Sequence, residues 1–281
     1  MNAELKKKLT IEAAKIRQGV IVGTYNAKSG HPGGSLDIAE ILSYLYFAEM
    51  NIDPKDPKKA DRDRLVLSKG HAAPALYAAL AERGFFPVED LATLRKPDSY
   101  LQGHPNMNTV PGVDMSTGSL GQGFSAACGM ALASKFQGNK FRVYTILGDG
   151  EIEEGQVWEA AMFAGDKKLS CLTAFVDYNG LQIDGTIGEV NSAEPIADKF
   201  KAFNWNVIEI DGADFDEIEK AVNQAKAETE KPTCIVAKTL KGKGVSYMEG
   251  SVGWHGKAPN AEEYKQAMDE LAAELKEAEA M

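Results

Sequence analysis

Apolar residues recur along this chain in two rhythms. In the first stretch, residues 3–25, Leu5, Leu9, Ala13, Ile16 and Val20 fall three or four apart, the spacing that lines one face of a helix. Leu36, Ile41, Leu42 and Leu45 lie on one side of a second helix, with Ser35 expected as the N-cap. Tyr264, Met268, Leu271 and Leu275 do so again in a last helix, within a helical tail at about 260–281. Short β-prone runs lie between: 64–67, 142–147, 171–176, 206–210 and 234–238. Helical segments are expected after residue 74, over 125–134, from Glu153, and over 214–228. Strands alternating with helices predict an α/β fold, a three-layer αβα sandwich with a mainly parallel central sheet. Ligands of such sheets bind at the carboxyl edge of the strands.

The run Arg142 to Leu147 meets that edge at Gly148-Asp149-Gly150 before a helix-forming segment. Two glycines permit a sharp turn and close approach to a ligand around one carboxylate. The next strand ends in Asp177-Tyr178-Asn179, so Asp149 and Asn179 are expected at neighbouring strand ends. A carboxylate and an amide oxygen suit Mg²⁺, which completes its octahedron with water and phosphate oxygens. The pair therefore predicts a diphosphate–Mg²⁺ site.

Four histidines occupy glycine- or proline-rich loops: His31, His71, His104 and His255. Imidazoles suit proton transfer near neutral pH. Residues 116–123 form a further Gly-rich stretch before a helix of small residues, able to approach an anion or to pack tightly. The Gly/Lys loop at 239–245 lacks the spacing of a phosphate-binding P-loop.

Bulk composition narrows the class. The chain has 281 residues, 44% hydrophobic and 26% charged, as in ordinary globular proteins. A net charge of −10 argues against nucleic-acid binding, which needs basic surplus over phosphates. Cys128, Cys171 and Cys234 are widely spaced and predict reduced thiols. With no apolar run long enough to span a bilayer and no signal-peptide pattern, no membrane partner and a cytoplasmic setting are expected.

Gly148-Asp149-Gly150 followed by Asn179 resembles the thiamine diphosphate signature, and Glu151 to Ala160 is similar to transketolase in particular. Ser29-Gly30-His31-Pro32-Gly33, Thr117-Gly118-Ser119-Leu120-Gly121-Gln122-Gly123 and Trp254-His255-Gly256 resemble further transketolase loops. The resemblance runs from about residue 10 to 260. It implies that Asp149, Asn179 and the main-chain carbonyl of Leu181 hold Mg²⁺, or Ca²⁺ or Mn²⁺ in its place. Gly118, Leu120, Gly148, Gly150 and Asn179 would touch thiamine diphosphate. His31 and His255 would handle protons at the donor sugar, and His104 would bind the transferred two-carbon unit with His71 nearby. Glu154 and Glu159 would link two cofactor sites across a subunit contact.

The resemblance covers only the diphosphate-binding part of such enzymes. A single domain over 1–281, without pyrimidine-binding or C-terminal domains, implies the N-terminal subunit of a split transketolase. Such a chain would be inactive alone and would work with a pyrimidine-binding partner, most simply as α₂β₂, on sugar phosphates. Other readings are a 1-deoxyxylulose-5-phosphate synthase-like or 2-oxo acid dehydrogenase alpha-like chain, or a non-catalytic regulatory one.

Overall fold

The computed structural model describes residues 1–281. Its core is a five-stranded sheet of β1 (Arg64–Leu67), β2 (Val143–Gly148), β3 (Leu172–Tyr178), β6 (Asn206–Asp211) and β7 (Thr233–Lys238). The order is β1-β2-β3-β7-β6 and every pairing is parallel. A separate antiparallel pair, β4 (Leu181–Gln182) and β5 (Gly185–Thr186), forms a small hairpin just after β3 and leads into the short α7 (Ile187–Val190).

Side chains alternate across each strand, so each strand feeds two cores. Leu65, Leu67, Tyr144, Ile146, Phe175, Ile235 and Ala237 enter one core, with α1 (Ala3–Ala27), α3 (Ala39–Tyr44), α4 (Ala73–Arg83), α9 (Phe215–Ala227) and α10 (Ala261–Ala280). Val66, Val143, Leu147, Leu172, Ala174, Val176, Cys234 and Val236 enter the other, beneath α5 (Gln122–Gln137), α6 (Gly155–Asp166) and α8 (Ile196–Ala202). This is the expected three-layer sandwich. The central strands are buried on both faces, which is why they read as apolar runs.

Chain order runs β1, β2, β3 across the sheet and then returns through β6 and β7 on the far side of β3. The reversal opens a crevice at the carboxyl ends of β2, β3 and β7, where such sheets bind ligands. The last helix packs along α1: Tyr25 and Tyr264 stack with ring centroids 4.0 Å apart, and Ala267 and Leu271 are buried. Asn260 and Glu263 form a reciprocal capping box at its start.

Two local expectations are corrected. Ser35 does not cap a helix: it lies inside a four-residue turn of helix, α2 (Gly33–Leu36), and its hydroxyl donates to the His31 carbonyl at 2.7 Å. The helix expected from Glu153 begins at Gly155, because residues 151–153 first form a tight 3₁₀ turn that buries Glu151.

Candidate active site

A cavity of about 290 Å³ opens at the carboxyl edge of the sheet. Its wall includes Asp149, Asn179, Leu181, Gly118, Leu120, Gly148, Gly150, His31, His71 and His255. A roomier groove of about 720 Å³ beside β6 and β7 carries none of these residues. The smaller cavity therefore holds the candidate chemistry.

The register explains how the two strand-end residues meet. Gly148 pairs with Asp177, and the Asp149 amide donates to the Asp177 carbonyl at 3.1 Å. The Asp149 carboxylate then accepts from Gly150 N–H at 2.8 Å and Gly180 N–H at 2.6 Å. Asn179 gives its Nδ2 hydrogens to Asp37 and Asp177, each at 3.0 Å, and its Oδ1 accepts from Leu181 N–H at 2.9 Å.

Below Asn179 lies a buried charge network. The Lys69 ammonium contacts Asp177 Oδ2 at 2.6 Å, Gly34 O at 2.7 Å and Asp37 Oδ1 at 3.2 Å. Thr239 donates its hydroxyl to the other Asp177 oxygen. Burial would lower the Lys69 pKa, but Asp177 and Asp37 hold it above its ordinary value. Burial, and then the like charge of Asp177, pushes the Asp37 carboxyl up against the pull of Lys69.

Three imidazoles form a triangle. Ring centroids are 5.3 Å apart for His31–His71 and His71–His255, and 5.4 Å for His31–His255. Close loop contact produces it: a Cβ on Gly33 would stand 2.9 Å from the Trp254 carbonyl, so only glycine lets the two histidine loops meet. Burial and then Arg95 bring His31 to about 4; burial and then Lys241 bring His255 to about 3. His71 is also held low, first by burial and then by Lys69. All three are therefore neutral at neutral pH.

His104 stands apart from the triangle. Its ring lies against the backbone of Gly118, where a Cβ would come within 2.9 Å of His104 Cδ2, and Gly118 has φ +144°. The imidazole faces an adjoining open depression with Arg95, Asn106 and Ser116, and does not line the cavity. Glu154 and Glu159 also lie outside the cavity, solvent-exposed in the single chain.

Several wall residues escaped the sequence reading. Lys69 lies two residues before His71 and Asp177 two before Asn179, but only the fold shows that they pair. Lys241, in the Gly/Lys loop, donates to the Leu181 carbonyl at 2.9 Å and lies 3.0 Å from His255 Nδ1. Glu151, beside the Gly-Asp-Gly turn, is buried. An acidic residue so near a turn gives no sign of burial in a linear sequence.

The donors fit a hard divalent cation. Asp149 is 2% exposed, and its oxygens accept backbone N–H bonds without an ion-pair partner. Burial and then Asp177 raise its pKa to about 7, against the Gly180 and Gly150 N–H bonds and the weaker pull of Lys241, so a bound cation would favour the ionised form. The Leu181 carbonyl already attracts the Lys241 ammonium. No three His, Cys, Asp or Glu side chains gather to hold a metal unaided. One carboxylate, one amide and one carbonyl would leave positions for oxygens of another ligand, as Mg²⁺ prefers.

The family model described as the transketolase thiamine diphosphate binding domain matches residues 8–278. The chain is 54% identical over 245 residues to the 6-deoxy-6-sulfo-D-fructose transketolase subunit SqwG of Clostridium sp. (strain MSTE9), covering 87% of this chain and 89% of that one. It is 41% identical over 271 residues to one of the subunits of the apulose-4-phosphate transketolase of Phocaeicola vulgatus, covering 96% of each. The crystal structure of transketolase from Campylobacter jejuni superposes with a TM-score of 0.88 at 34% identity, over 99% of this chain and 46% of that one. The chain thus spans most of the subunit relatives and less than half of the longer enzyme.

Proposed function

The chain belongs to the transketolase family, as its N-terminal, thiamine diphosphate-binding part, and from this premise we propose that it is the cofactor-holding subunit of a two-component transketolase. With a separate pyrimidine-binding subunit, most simply as α₂β₂, it transfers a two-carbon ketol unit from a ketose phosphate to an aldose phosphate. The observation that carries this reading is that three histidines line the same cavity as Asp149, Asn179 and Leu181. Coverage of 89% and 96% of two relatives named as subunits supports the two-component assembly. Those relatives are named for 6-deoxy-6-sulfo-D-fructose and apulose-4-phosphate, which supports a donor with an anionic group.

When bound, thiamine diphosphate supplies a carbanion able to take up the ketol unit. Asp149, Asn179 and the Leu181 carbonyl would hold Mg²⁺, or Ca²⁺ or Mn²⁺ in its place, and the cation would neutralise the diphosphate charge. Gly118, Gly148 and Gly150 would present bare backbone along the cofactor, and Leu120 would add an apolar contact. His255 has Nδ1 beside Lys241, which leaves Nε2 to exchange a proton with the sugar. His31 and His71 complete that neutral wall, and His104, in the adjoining depression beyond Gly118, would meet the two-carbon unit from that side.

Glu154 and Glu159 point outward, and α5 and α6 expose Phe136 and Met162 at 81% and 56%. Apolar side chains so exposed support a subunit contact over these helices, where the glutamates link neighbouring cofactor sites. No helix is long and apolar enough to cross a membrane. All three cysteines are free thiols, which supports a cytoplasmic setting for the enzyme.

The test mixes the chain with candidate pyrimidine-binding subunits, thiamine diphosphate and Mg²⁺, and assays ketose-to-aldose two-carbon transfer. Transfer by the mixture, and by neither component on its own, is expected. A preference for 2-oxo acids, or full transfer after Asp149→Ala, would overturn the reading.

A further inference from the structure

Glu151 has no part in the assignments above, yet three separate stretches of the cavity wall converge on its carboxylate. Oε1 accepts from the Ser68 hydroxyl at 2.5 Å and from Gly121 N–H at 2.9 Å. Oε2 accepts from Gly148 N–H at 3.0 Å. The Ser68 oxygen in turn accepts from Phe124 N–H at 3.0 Å, in the first turn of α5.

Each donor belongs to a segment that also contributes to the cavity. Ser68 precedes Lys69 and His71 at the end of β1. Gly121 closes the loop that carries Gly118 and Leu120. Gly148 ends β2 immediately before Asp149. These segments are far apart in sequence, and all three donate to one side chain.

The chemistry of the contact is specific. An ionised carboxylate only accepts, with room for about four hydrogen bonds, and here every neighbour is a donor. Glutamine has the same shape but would turn an NH₂ toward one of those N–H or O–H groups. A buried acid is strongly disfavoured unless hydrogen bonds offset the loss of water. Its position is thus explained by what it gathers.

We propose that Glu151 is a positioning residue that clasps the ends of β1 and β2 to the 117–121 loop, forming the cofactor cradle before the cofactor arrives. This rests on the cofactor-binding function proposed above. A cradle formed in advance removes the ordering cost from binding, since apparent affinity scales with the fraction of molecules already competent. Loss of the clasp therefore falls on cofactor affinity more than on turnover of the loaded enzyme.

The test uses the assembled two-component enzyme, freed of cofactor, and titrates thiamine diphosphate by calorimetry with Mg²⁺ present. Turnover is then measured at saturating cofactor, and amide hydrogen exchange is followed at residues 118–124 in the cofactor-free state. Glu151→Gln should weaken cofactor binding about 10- to 100-fold. Turnover at saturation should fall less than about threefold, and exchange over 118–124 should accelerate. Ser68→Ala removes one of the three bonds and should weaken binding about fivefold. The double variant should weaken binding by less than the product of the two single effects, because Ser68 and Glu151 share one hydrogen bond. Unchanged affinity in Glu151→Gln, or affinity and turnover falling in proportion, would overturn the proposal. If Glu151→Gln does not fold, Ser68→Ala decides by the same criteria. A wild-type complex that takes up no cofactor refutes the proposed function itself; binding by wild type with indifferent variants refutes only the clasp.

Discussion

Asn179 Nδ2 lies 3.0 Å from Asp177 Oδ2, and on its other side 3.0 Å from Asp37, so both amide hydrogens are engaged by carboxylates below the cavity. The amide cannot rotate without losing both bonds, and its Oδ1 is held on the opposite side. Groups that orient a metal ligand in this way are worth about 10- to 100-fold in affinity. Asp177→Asn is therefore expected to weaken cofactor binding by that factor in calorimetry with Mg²⁺. It also removes one counter-charge from buried Lys69, and breaking such a pair costs about 3–5 kcal/mol, visible as a lower melting temperature. Wild-type affinity in this variant would mean that Asn179 needs no such support.

Asp149→Ala removes the only carboxylate among the proposed metal ligands. Heat of cofactor binding in the assembled complex should disappear, because a carbonyl and an amide hold Mg²⁺ poorly without a charge. Near-normal affinity would refute the metal site.

His31→Ala and His255→Ala should separate chemistry from binding. General acid–base groups contribute about 10²- to 10⁴-fold to rate. Turnover should fall in that range while cofactor affinity changes less than about tenfold. Equal losses in both quantities would show that the loops at 28–35 and 253–259 serve structure alone.

His255 also predicts a pH dependence of stability. Burial and the charge of Lys241 bring its pKa to about 3 in the folded chain, against about 6.5 when unfolded. Below the unfolded value the unfolded chain binds a proton that the folded chain refuses. The contribution is complete above that value and is lost as the pH falls toward the folded one. Asp149 and Asp37 shift in the opposite direction, so the readout is a difference between two proteins. In urea unfolding of the cofactor-free chain, wild type should lose about 1–2 kcal/mol relative to His255→Asn between pH 7 and pH 5. An equal pH response of the two would show that His255 is solvated.

Much of this molecule was legible from local pattern. The run Val143 to Leu147 alternates between two cores, and its apolar character on both sides already signals a buried parallel strand. Gly148-Asp149-Gly150 and Asp177-Tyr178-Asn179 mark strand ends because glycine and short polar residues break strands wherever they occur. These features depend on neighbours a few positions away, which is the range over which sequence periodicity carries information. Other features depended on register. Lys69 and Asp177 are 108 positions apart, and only the pairing of β1, β2 and β3 brings their charges together out of water. The same holds for Glu151, whose burial follows from where Ser68 and Gly121 arrive. It holds too for His104, which the Gly118 backbone separates from three histidines of similar local sequence. A linear pattern tells which side chains can be buried or charged; only the packed chain decides which of them share a low-dielectric space, where their interactions become strong.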